Sequence, residues 1–537
     1  MEKKCSKQHF LLIFSLWSYA NPDSGPPVAP PKFEPTRVPG VQLPDDVRTR
    51  ANYQKYLTPL FFFQLFFTLD IVQHLCNWTN DYAKLHGPQK PTLYQGWTNI
   101  TPDEMYQYFA LLMYMAIVKA PNVESYWCTA PLFHGLWARY FMSKQRFKAI
   151  QSFLKACNEA TENNKRGKLC KVRLLHDYIN SKCKKLYQPY RNVSIDERMV
   201  RNRGRFTFKQ FIKDKPTRWG MKLWVLADAA NGYTCDFEVY TGKGLPVSKN
   251  GLAFDVVMRL CKHLEKRGYH VYFDNFYTSV QLVKDLLVKK IACCGTLQTN
   301  RKGVPEAFKD TKVFAKGTRG TMRWKREGNL LFLQWLDKKA VTFLSTIHKK
   351  ADTYSHVGRH TKVNGQYCPL HVRQPKIVQH YHKCMGGVDK SDQLIGKYMT
   401  LRKTHRWWKT LFFHFLDLAR VNSYILFNDI RKKNPDVPEL QRPDSYNQLD
   451  YTVELIKEMA KVTEDQGVPL YEKKKPEPPP PPPPGHVLLP AHAAKHKSCD
   501  LCYKRYKLER KTFVMCKTCN KHFCFISKRN CLLEAHQ

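Results

Sequence analysis

The spacing of hydrophobic residues makes the first ordered part of the chain helical. Across residues 57–192, apolar residues recur at i, i+3 and i+4, most clearly in 103–118 and 143–156. This period places them on one face of a helix. Thr101, followed by a proline and by Glu104, is a typical helix start. The pattern predicts an α-helical domain here.

After Arg191 the hydrophobic period changes to that of strands. The runs VSIDERMV, MKLWVLAD, CDFEVYTG and YHVYFDNF are short and rich in β-branched and aromatic residues, which predicts four strands. A helix at 251–267 separates the third from the fourth, and a helix at 279–289 and a strand at 291–296 follow. This order predicts an α/β core with a mixed sheet. A β-like stretch between 298 and 375 is predicted to be an inserted subdomain, and helices return over 388–430.

Segments near both ends lack this periodicity. Residues 21–48 are rich in proline and are predicted to be disordered, and the proline run 478–484 is predicted to be a stiff spacer before a small C-terminal module. Lysines before an apolar run at 10–17 are typical of a signal peptide, so a secreted protein is one alternative. The 18 cysteines favour a reducing compartment instead, because they form no compact disulfide framework.

The charge indicates the class of partner. The 537 residues include 88 Lys and Arg against 45 Asp and Glu, a net charge of +43. Such a surface attracts phosphate backbones, and the 13% of aromatic residues can stack on bases. We therefore expect a nucleic-acid-binding protein, with a cationic protein held to acidic partners as the alternative. No apolar stretch is long enough to predict a membrane span.

Four aspartates from distant stretches are candidates for phosphodiester chemistry. Asp196 lies in a strand-like run, where alternation places its side chain on the face opposite Glu197. Asp274 ends another strand, and Asp389 and Asp392 lie three residues apart at a predicted helix start. Carboxylates placed in this way can hold two Mg²⁺ ions. Taken singly, each acid is equally typical of a turn or helix cap.

Seven runs occur in the order found in a known family: SIDERMVRNRGR, GMKLWVLADAANGY, YFDNFYTS, GTLQTNRKGVP, GGVDKSDQL, RKTHRWWK and NSYILF. From about Leu57 to the C-terminus, the chain resembles the piggyBac transposases. The resemblance implies a ribonuclease-H-like catalytic core whose Mg²⁺ or Mn²⁺ ligands fall on Asp196, Asp274 and Asp389, with Asp392 as a fourth catalytic acid. It also implies excision at terminal repeats through hairpin intermediates and insertion at TTAA targets.

The resemblance further implies an α/β fold in which the ribonuclease-H-like core carries an inserted β-rich subdomain, flanking helical domains and a C-terminal zinc-binding cross-brace module. The expected partners are double-stranded DNA and a second copy of the chain, and no membrane partner is expected. The expected location is the nucleus. The expected domains are a disordered lead-in (1–50), a helical dimerisation and DNA-binding domain (51–190), the first core segment (191–296), an insertion domain (297–375), the second core segment (376–432), a helical DNA-binding or dimerisation extension (433–470), a proline-rich linker (471–495) and a zinc module (496–537).

Basic residues next to these motifs are the predicted DNA contacts. The run RKTHRWWK interleaves cations with two indoles, which can track phosphates and stack on an unpaired base. Trp407 resembles the tryptophan that the family places near the active site, whereas Trp408 is predicted to belong to the core. Gln298 stands where the family commonly has a cation. The predicted DNA-binding residues are Arg203, Arg205, Arg301, Lys302, Arg402, Lys403, Arg406 and Trp407.

The C-terminal module contains seven candidate zinc ligands, namely Cys499, Cys502, Cys516, Cys519, Cys524, Cys531 and His536. Paired Cys-x-x-Cys turns at this separation suit tetrahedral Zn²⁺. Two zinc ions need eight ligands, so His522 or His496 supplies the eighth or one site is incomplete. The module resembles the cross-brace domain at piggyBac C-termini, which binds terminal-repeat DNA. Taken alone, it is also compatible with a RING-like ubiquitin ligase.

Two hypotheses about activity stay open at this point. In the first, the chain is an active Mg²⁺-dependent transposase, which the intact set of four aspartates favours. In the second, it is a domesticated descendant that binds DNA without transposing. The second is favoured by the proline-rich stretch that stands in place of the acidic N-terminal region common in the family.

Overall fold

The computed structural model describes residues 29–48, 56–133, 135–158, 167–213, 215–242, 247–363, 366–400, 404, 406–461, 490–526 and 529–535. The chain divides into two compact units, residues 1–463 and 464–537. None of the described helices is both long and apolar enough to cross a membrane.

Helices dominate the region before residue 187, as the hydrophobic period predicted. Side-chain oxygens begin two of them: Thr101 accepts a hydrogen bond from the Glu104 amide, and Ser143 accepts one from the Arg146 amide. The helices are α1 (Asp45–Arg48), α2 (Pro59–Gln64), α3 (Leu69–His86), α4 (Pro91–Tyr94), α5 (Pro102–Ile117), α6 (Ala138–Phe141), α7 (Lys144–Phe153) and α8 (Arg173–Leu186).

Nine strands among the described residues form the central sheet. They are β1 (Asn192–Arg201), β2 (Gln210–Phe211), β3 (Trp219–Asp228), β4 (Thr234–Val239), β5 (His270–Phe273), β6 (Ala292–Thr296), β7 (Met322–Glu327), β8 (Leu330–Leu336) and β9 (Ala340–Ser345). Their order is β2-β3-β1-β5-β6-β9-β8-β7, with β4 also paired to β3. The β1–β5 and β5–β6 pairs are parallel and the others antiparallel, so the predicted mixed α/β sheet is confirmed.

The strands β7 to β9 come from the stretch predicted to be an inserted subdomain. They continue the central sheet, because β9 pairs with β6. Beyond them, β10 (Tyr354–Val363) and β11 (Gln366–Pro375) form a two-stranded ribbon. The hydrophobic pattern indicated strands in this region but not which sheet they join.

The remaining helices of the first unit lie between or after the strands, and most of them contact the sheet, whereas the last packs on other helices. They are α9 (Leu252–Leu260), α10 (Val280–Val288), α11 (Thr311–Phe314), α12 (Lys376–Met385), α13 (Gly387–Lys397), α14 (Trp407–Lys433) and α15 (Gln448–Ala460). The 27-residue α14 contacts α2, α8, α15 and β1. It is buried over most of its length, and its buried residues include the charged Lys409, Asp417 and Arg420.

Residues 29–48 differ from the predicted disorder, because they contact the body of the first unit. The Glu34 amide donates a hydrogen bond to the Arg267 carbonyl, and Gly40–Val41 pairs with Tyr187–Gln188. Phe33 packs edge-on against Tyr269 with ring centroids 5.0 Å apart. Composition could not indicate these contacts, since their partners lie more than 140 residues away in the chain.

The second unit is a small module. It contains β12 (Pro490–Ser498), α16 (Asp500–Tyr506), β13 (Lys511–Cys516), β14 (Phe525–Ile526), β15 (Arg529–Asn530) and α17 (Cys531–Glu534). Its buried core consists mainly of cysteines together with Phe523 and Leu532. So few apolar side chains contribute little hydrophobic stabilisation.

Candidate active site and cysteine cluster

Two of the predicted aspartates lie side by side, Asp196 in the middle of β1 and Asp274 directly after β5. In the parallel pair of β1 and β5, Ile195 lies opposite Phe273, so the next residues, Asp196 and Asp274, are neighbours. Carboxylate oxygens of Asp196, Glu197 and Asp274 all lie within 4.8 Å of one another. We call these three residues the acid cluster.

Glu197 is the member that the sequence analysis missed, because alternation placed it on the other face from Asp196. In the structure, Asp196 turns back so that Oδ1 accepts a hydrogen bond from the Glu197 amide at 2.8 Å. The Glu197 carboxylate accepts hydrogen bonds from the Tyr277 hydroxyl at 2.8 Å and from Lys222 Nζ at 3.1 Å. An acid directly after a candidate ligand was the only signal for it in the sequence.

The acid cluster disfavours its own negative charge. Burial raises the pKa of Asp196 to about 7, and Glu197 adds to this increase while Lys215 opposes it. For Glu197, burial is outweighed by Lys222, Asp196 and Tyr277, which together lower its pKa. Burial and the charge of Glu197 also raise the pKa of Asp274. The charges of Asp196 and Glu197 therefore oppose each other, and a bound cation would favour the fully ionised cluster.

A lysine without a motif of its own lies at the acid cluster. Lys215 Nζ is 3.0 Å from Asp196 Oδ2, and both side chains are largely buried. Burial opposes the charge of Lys215, but Asp196, Asp389 and Glu197 outweigh it and raise its pKa. The segment between β2 and β3 thus brings a positive charge to the acids.

The other two predicted aspartates belong to α13. A Cβ at Gly387 would lie only 2.5 Å from Ser194 Oγ, so glycine allows this helix to approach β1 closely. Asp389 is exposed in the first turn and close enough to Lys215 to raise its pKa, although it is outside the acid cluster. Asp392 forms an ion pair with the buried Arg198.

The predicted DNA contacts are spread over several segments. Arg203, Arg205 and Lys302 are exposed, whereas Arg301 and Arg406 are half-buried. Trp407 is half-buried edge-on against Phe208, with ring centroids 5.1 Å apart. Trp408 is only 4% exposed, which confirms its assignment to the core. Arg402 and Lys403 lie outside the described residues.

Four of the seven candidate zinc ligands converge in the second unit. Sulfur atoms of Cys499, Cys502, Cys524 and Cys531 all lie within 4.8 Å of one another, and all four residues are buried. Cys502 Sγ is 3.9 Å from Cys524 Sγ and 3.7 Å from Cys531 Sγ. Sulfurs at about 2.3 Å from a tetrahedral Zn²⁺ would be about 3.8 Å apart, so this geometry fits zinc.

The remaining candidates do not join this group. Cys516 and Cys519 lie at a tight turn, and Asn520 after it has a left-handed φ of 55°. No third ligand completes a metal group with them among the described residues. His522 follows Cys519 closely in the sequence and is buried in the structure. Its Nε2 has no hydrogen-bond partner in the described part of the chain. His536 lies outside the described residues, and His496 packs on the Phe513 ring.

Comparisons with known proteins agree with the motifs. A family model described as Transposase IS4 matches residues 58–424. The human PiggyBac transposable element-derived protein 3 is 26% identical over 396 residues, which cover 72% of this chain and 64% of the relative. The human PiggyBac transposable element-derived protein 2 is 27% identical over 381 residues, covering 69% and 61%. The chain thus matches less than two thirds of the length of either relative.

One solved structure shares the fold. The cryo-EM structure of a piggyBac transposase synaptic complex with hairpin DNA has a TM-score of 0.67 and 22% sequence identity to this chain. The match covers 91% of this chain and 98% of the other. Together with the family model, which spans more than half of the residues, this establishes the relationship. The chain belongs to the piggyBac transposase family.

Proposed function

We propose that this protein is a DNA transposase that cuts DNA at transposon ends and joins the 3′-hydroxyls to TTAA targets with the help of divalent cations. The acid cluster carries the proposal: three carboxylates from two adjacent strands converge where β5 ends beside the middle of β1, in a chain with a net charge of +43. Structural acids at strand ends rarely converge in a place that disfavours their charge, whereas metal ligands do.

The donor set fits a hard divalent cation. Asp196, Glu197 and Asp274 offer only oxygen ligands, which suit Mg²⁺ and Mn²⁺. We propose Asp196 and Asp274 as ligands with Asp389 approaching from α13, and we add Glu197 to the predicted set. When bound, the cations would activate the attacking hydroxyl or water and stabilise the leaving oxygen.

Neighbouring side chains hold these acids in place. Tyr277 and Lys222 fix the Glu197 carboxylate, and the Asp274 carboxylate accepts a hydrogen bond from the Phe276 amide at 2.9 Å. Arg198 binds Asp392 and donates a hydrogen bond to Ser391 at 2.7 Å, which ties α13 to β1. The acids therefore keep their positions without rearrangement of the sheet.

We also propose a ribonuclease-H-like core, a zinc-binding C-terminal module, contacts with DNA, a homodimer and a location in the nucleus. The mixed sheet with α10, α13 and α14 supports a ribonuclease-H-like core, and the four convergent cysteines support a zinc-binding C-terminal module. The exposed Arg203, Arg205 and Lys302 support contacts with DNA. A homodimer and a location in the nucleus follow from the proposed reaction on two chromosomal DNA ends.

The test is cleavage of end-containing DNA by the full-length protein in Mg²⁺ or Mn²⁺. Asp274→Asn keeps the shape of the side chain but removes its charge, so we expect cleavage to fall by at least about 100-fold, the equivalent of several kcal/mol of lost charge stabilisation. Glu197→Gln should also reduce cleavage. Binding of the same DNA should change little, because other residues supply the positive charge.

The matched control is Asp285→Asn. Asp285 lies on α10, and its carboxylate accepts a hydrogen bond from Gln281 of the same helix, so its replacement should leave cleavage intact. Asp236 would be a poor control, since it is buried and paired with Lys184. Normal cleavage by Asp274→Asn would show that the assignment of the site is wrong. A wild-type protein that binds the DNA and cuts nothing would be a domesticated DNA-binding protein.

A further inference from the structure

A cavity of about 280 Å³ lies beside the acid cluster. Phe254, Phe276 and Tyr277 form its aromatic walls, and Asn250, Ser279 and Arg301 contribute polar groups. Its volume is below the roughly 300–1,000 Å³ of pockets that hold drug-sized ligands. The cavity is therefore suited to a single planar ring system with polar edges.

The cavity and the acid cluster share one turn of the chain. This turn begins at Asp274, whose carboxylate accepts a hydrogen bond from the Phe276 amide. The next residue, Tyr277, lines the cavity and donates a hydrogen bond from its hydroxyl to Glu197. A polymer whose phosphodiester lies at the acid cluster would therefore have its neighbouring unit at the cavity.

The aromatic wall is held in place from outside the turn. Arg301 Nη2 donates hydrogen bonds to the carbonyls of Phe276 at 2.9 Å and Asn275 at 3.3 Å. Lys222 Nζ lies 4.8 Å from the centre of the Phe276 ring, and the Phe276 and Tyr277 rings meet edge to face at 4.9 Å. Phe276 nevertheless remains 38% exposed, so part of its ring is accessible to a ligand.

An unpaired nucleobase satisfies these constraints. A base is flat, has hydrogen-bonding edges for the polar groups of the cavity, and gains roughly 5- to 150-fold in affinity when it stacks on an aromatic ring. Extruding a base from a duplex is least costly where the base is already unpaired. A small apolar ligand would not explain the cation of Arg301 in the lining, which suits a nearby phosphate.

We propose that this cavity receives one unpaired nucleobase adjacent to the phosphodiester at the acid cluster. The inference rests on the proposed function because it takes the ligand to be DNA. Phe276 is the stacking residue, and Arg301 is a positioning residue that holds the turn. The site distinguishes DNA with an unpaired nucleotide from fully paired DNA of any sequence.

The test uses the full-length protein with Ca²⁺ in place of Mg²⁺, so that binding is measured and cleavage plays no part. The probes are two duplexes of equal length and sequence, one fully paired and one with a single unpaired nucleotide. We expect the wild-type protein to bind the duplex with the unpaired nucleotide about tenfold more tightly than the paired duplex. Phe276→Ala should bring the two affinities to within about twofold of each other, while the affinity for paired DNA stays unchanged. Phe276→Trp should keep the preference.

Tyr367→Ala is the matched control, since this aromatic residue is 72% exposed on the β10–β11 ribbon and far from the acids in sequence. It should leave the preference intact. A photoreactive 5-iodouracil at the unpaired position should cross-link to the peptides that contain Phe254 or Phe276. An equal loss of affinity for both duplexes in Phe276→Ala, or a preference that survives this change, would overturn the proposal. Neither result bears on metal-dependent cleavage, which is tested separately.

Discussion

Lys409 provides a sharp test of the packing of helix α14. It is the last residue of the basic run RKTHRWWK, yet it is only 4% exposed. Its ammonium donates a hydrogen bond to the Gln151 carbonyl and lies 5.5 Å from the Trp408 ring centre. Burial, together with the positive charges of Arg406, Lys90 and Lys155, lowers its pKa from 10.5 to about 7.

This lowered pKa links stability to pH in a definite direction. Between about pH 7 and 10.5 the unfolded chain binds a proton that the folded chain has released, so this group makes stability rise with pH across that window. Below pH 7 both states carry the proton, and the folded state bears the full cost of the buried charge. At 1.36 kcal/mol for each tenfold change in proton affinity, this cost reaches roughly 4–5 kcal/mol.

Lys409→Met removes the charge and keeps the length of the side chain. We expect the variant to be more stable than the wild type by roughly 2–4 kcal/mol at pH 6.5, after allowance for about 1 kcal/mol from the lost hydrogen bond. The advantage should shrink by roughly 2.5 kcal/mol at pH 9. Urea unfolding at the two pH values, followed by tryptophan fluorescence, measures both quantities.

Lys432→Met is the matched control, because Lys432 lies on the same helix α14 and is exposed. Its stability relative to the wild type should not depend on pH. Groups elsewhere titrate equally in both proteins, so they cancel in the comparison. A Lys409→Met protein that is less stable than the wild type at pH 6.5, or whose advantage is the same at pH 9, would refute the reasoning.

Three further outcomes are expected. Removing zinc with a strong chelator should unfold the second unit, because metal ligation replaces the apolar core that this unit lacks. The measurement is the loss of proteolytic protection around Cys499, and protection that survives chelation would contradict the prediction. If the protein contacts six to ten phosphates, its affinity for DNA should fall by a factor of about 10³–10⁵ between 50 and 200 mM salt. A nearly flat plot of log affinity against log salt would argue against a phosphate-binding role for the positive charge. Asp392→Asn should destabilise the protein by about 1–2 kcal/mol, because the buried Arg198 loses an ion-pair partner that is itself one-third exposed. An unchanged thermal melting temperature would mean that the ion pair contributes nothing to stability.

Local signals in the sequence predicted much of the core. The strand from Ala292 to Thr296 and the helix from Val280 to Val288 begin and end within about two residues of their predicted bounds. Ser279 caps that helix by accepting a hydrogen bond from the Leu282 amide. Periods and caps are properties of neighbouring residues, so a single sequence contains them.

The sequence predicted only part of the active site, because tertiary contacts rather than local patterns bring some of its residues into place. Asp196 lies within a strand and Asp274 directly after its parallel neighbour, and both strands were predicted from the sequence. Glu197 and Lys215 reach the same place through side-chain direction and a connecting segment, and these depend on tertiary contacts rather than on hydrophobic period. The same holds for the pairing of β9 with β6, which joins segments about 50 residues apart.

The balance of charges explains how a strongly basic chain keeps its acids together. Lys215 contacts Asp196, Lys222 contacts Glu197 and Arg198 contacts Asp392, so each of these acids has a cation from the chain itself. Asp274 has no ion pair within the described part of the chain and accepts a hydrogen bond from a backbone amide instead. Burial and Glu197 raise the pKa of Asp274, and burial raises that of Asp196 to about 7 despite Lys215, so the ionised forms of both acids are incompletely compensated. An additional cation would therefore stabilise both, and Asp274 lies at the turn that the acid cluster shares with the aromatic cavity.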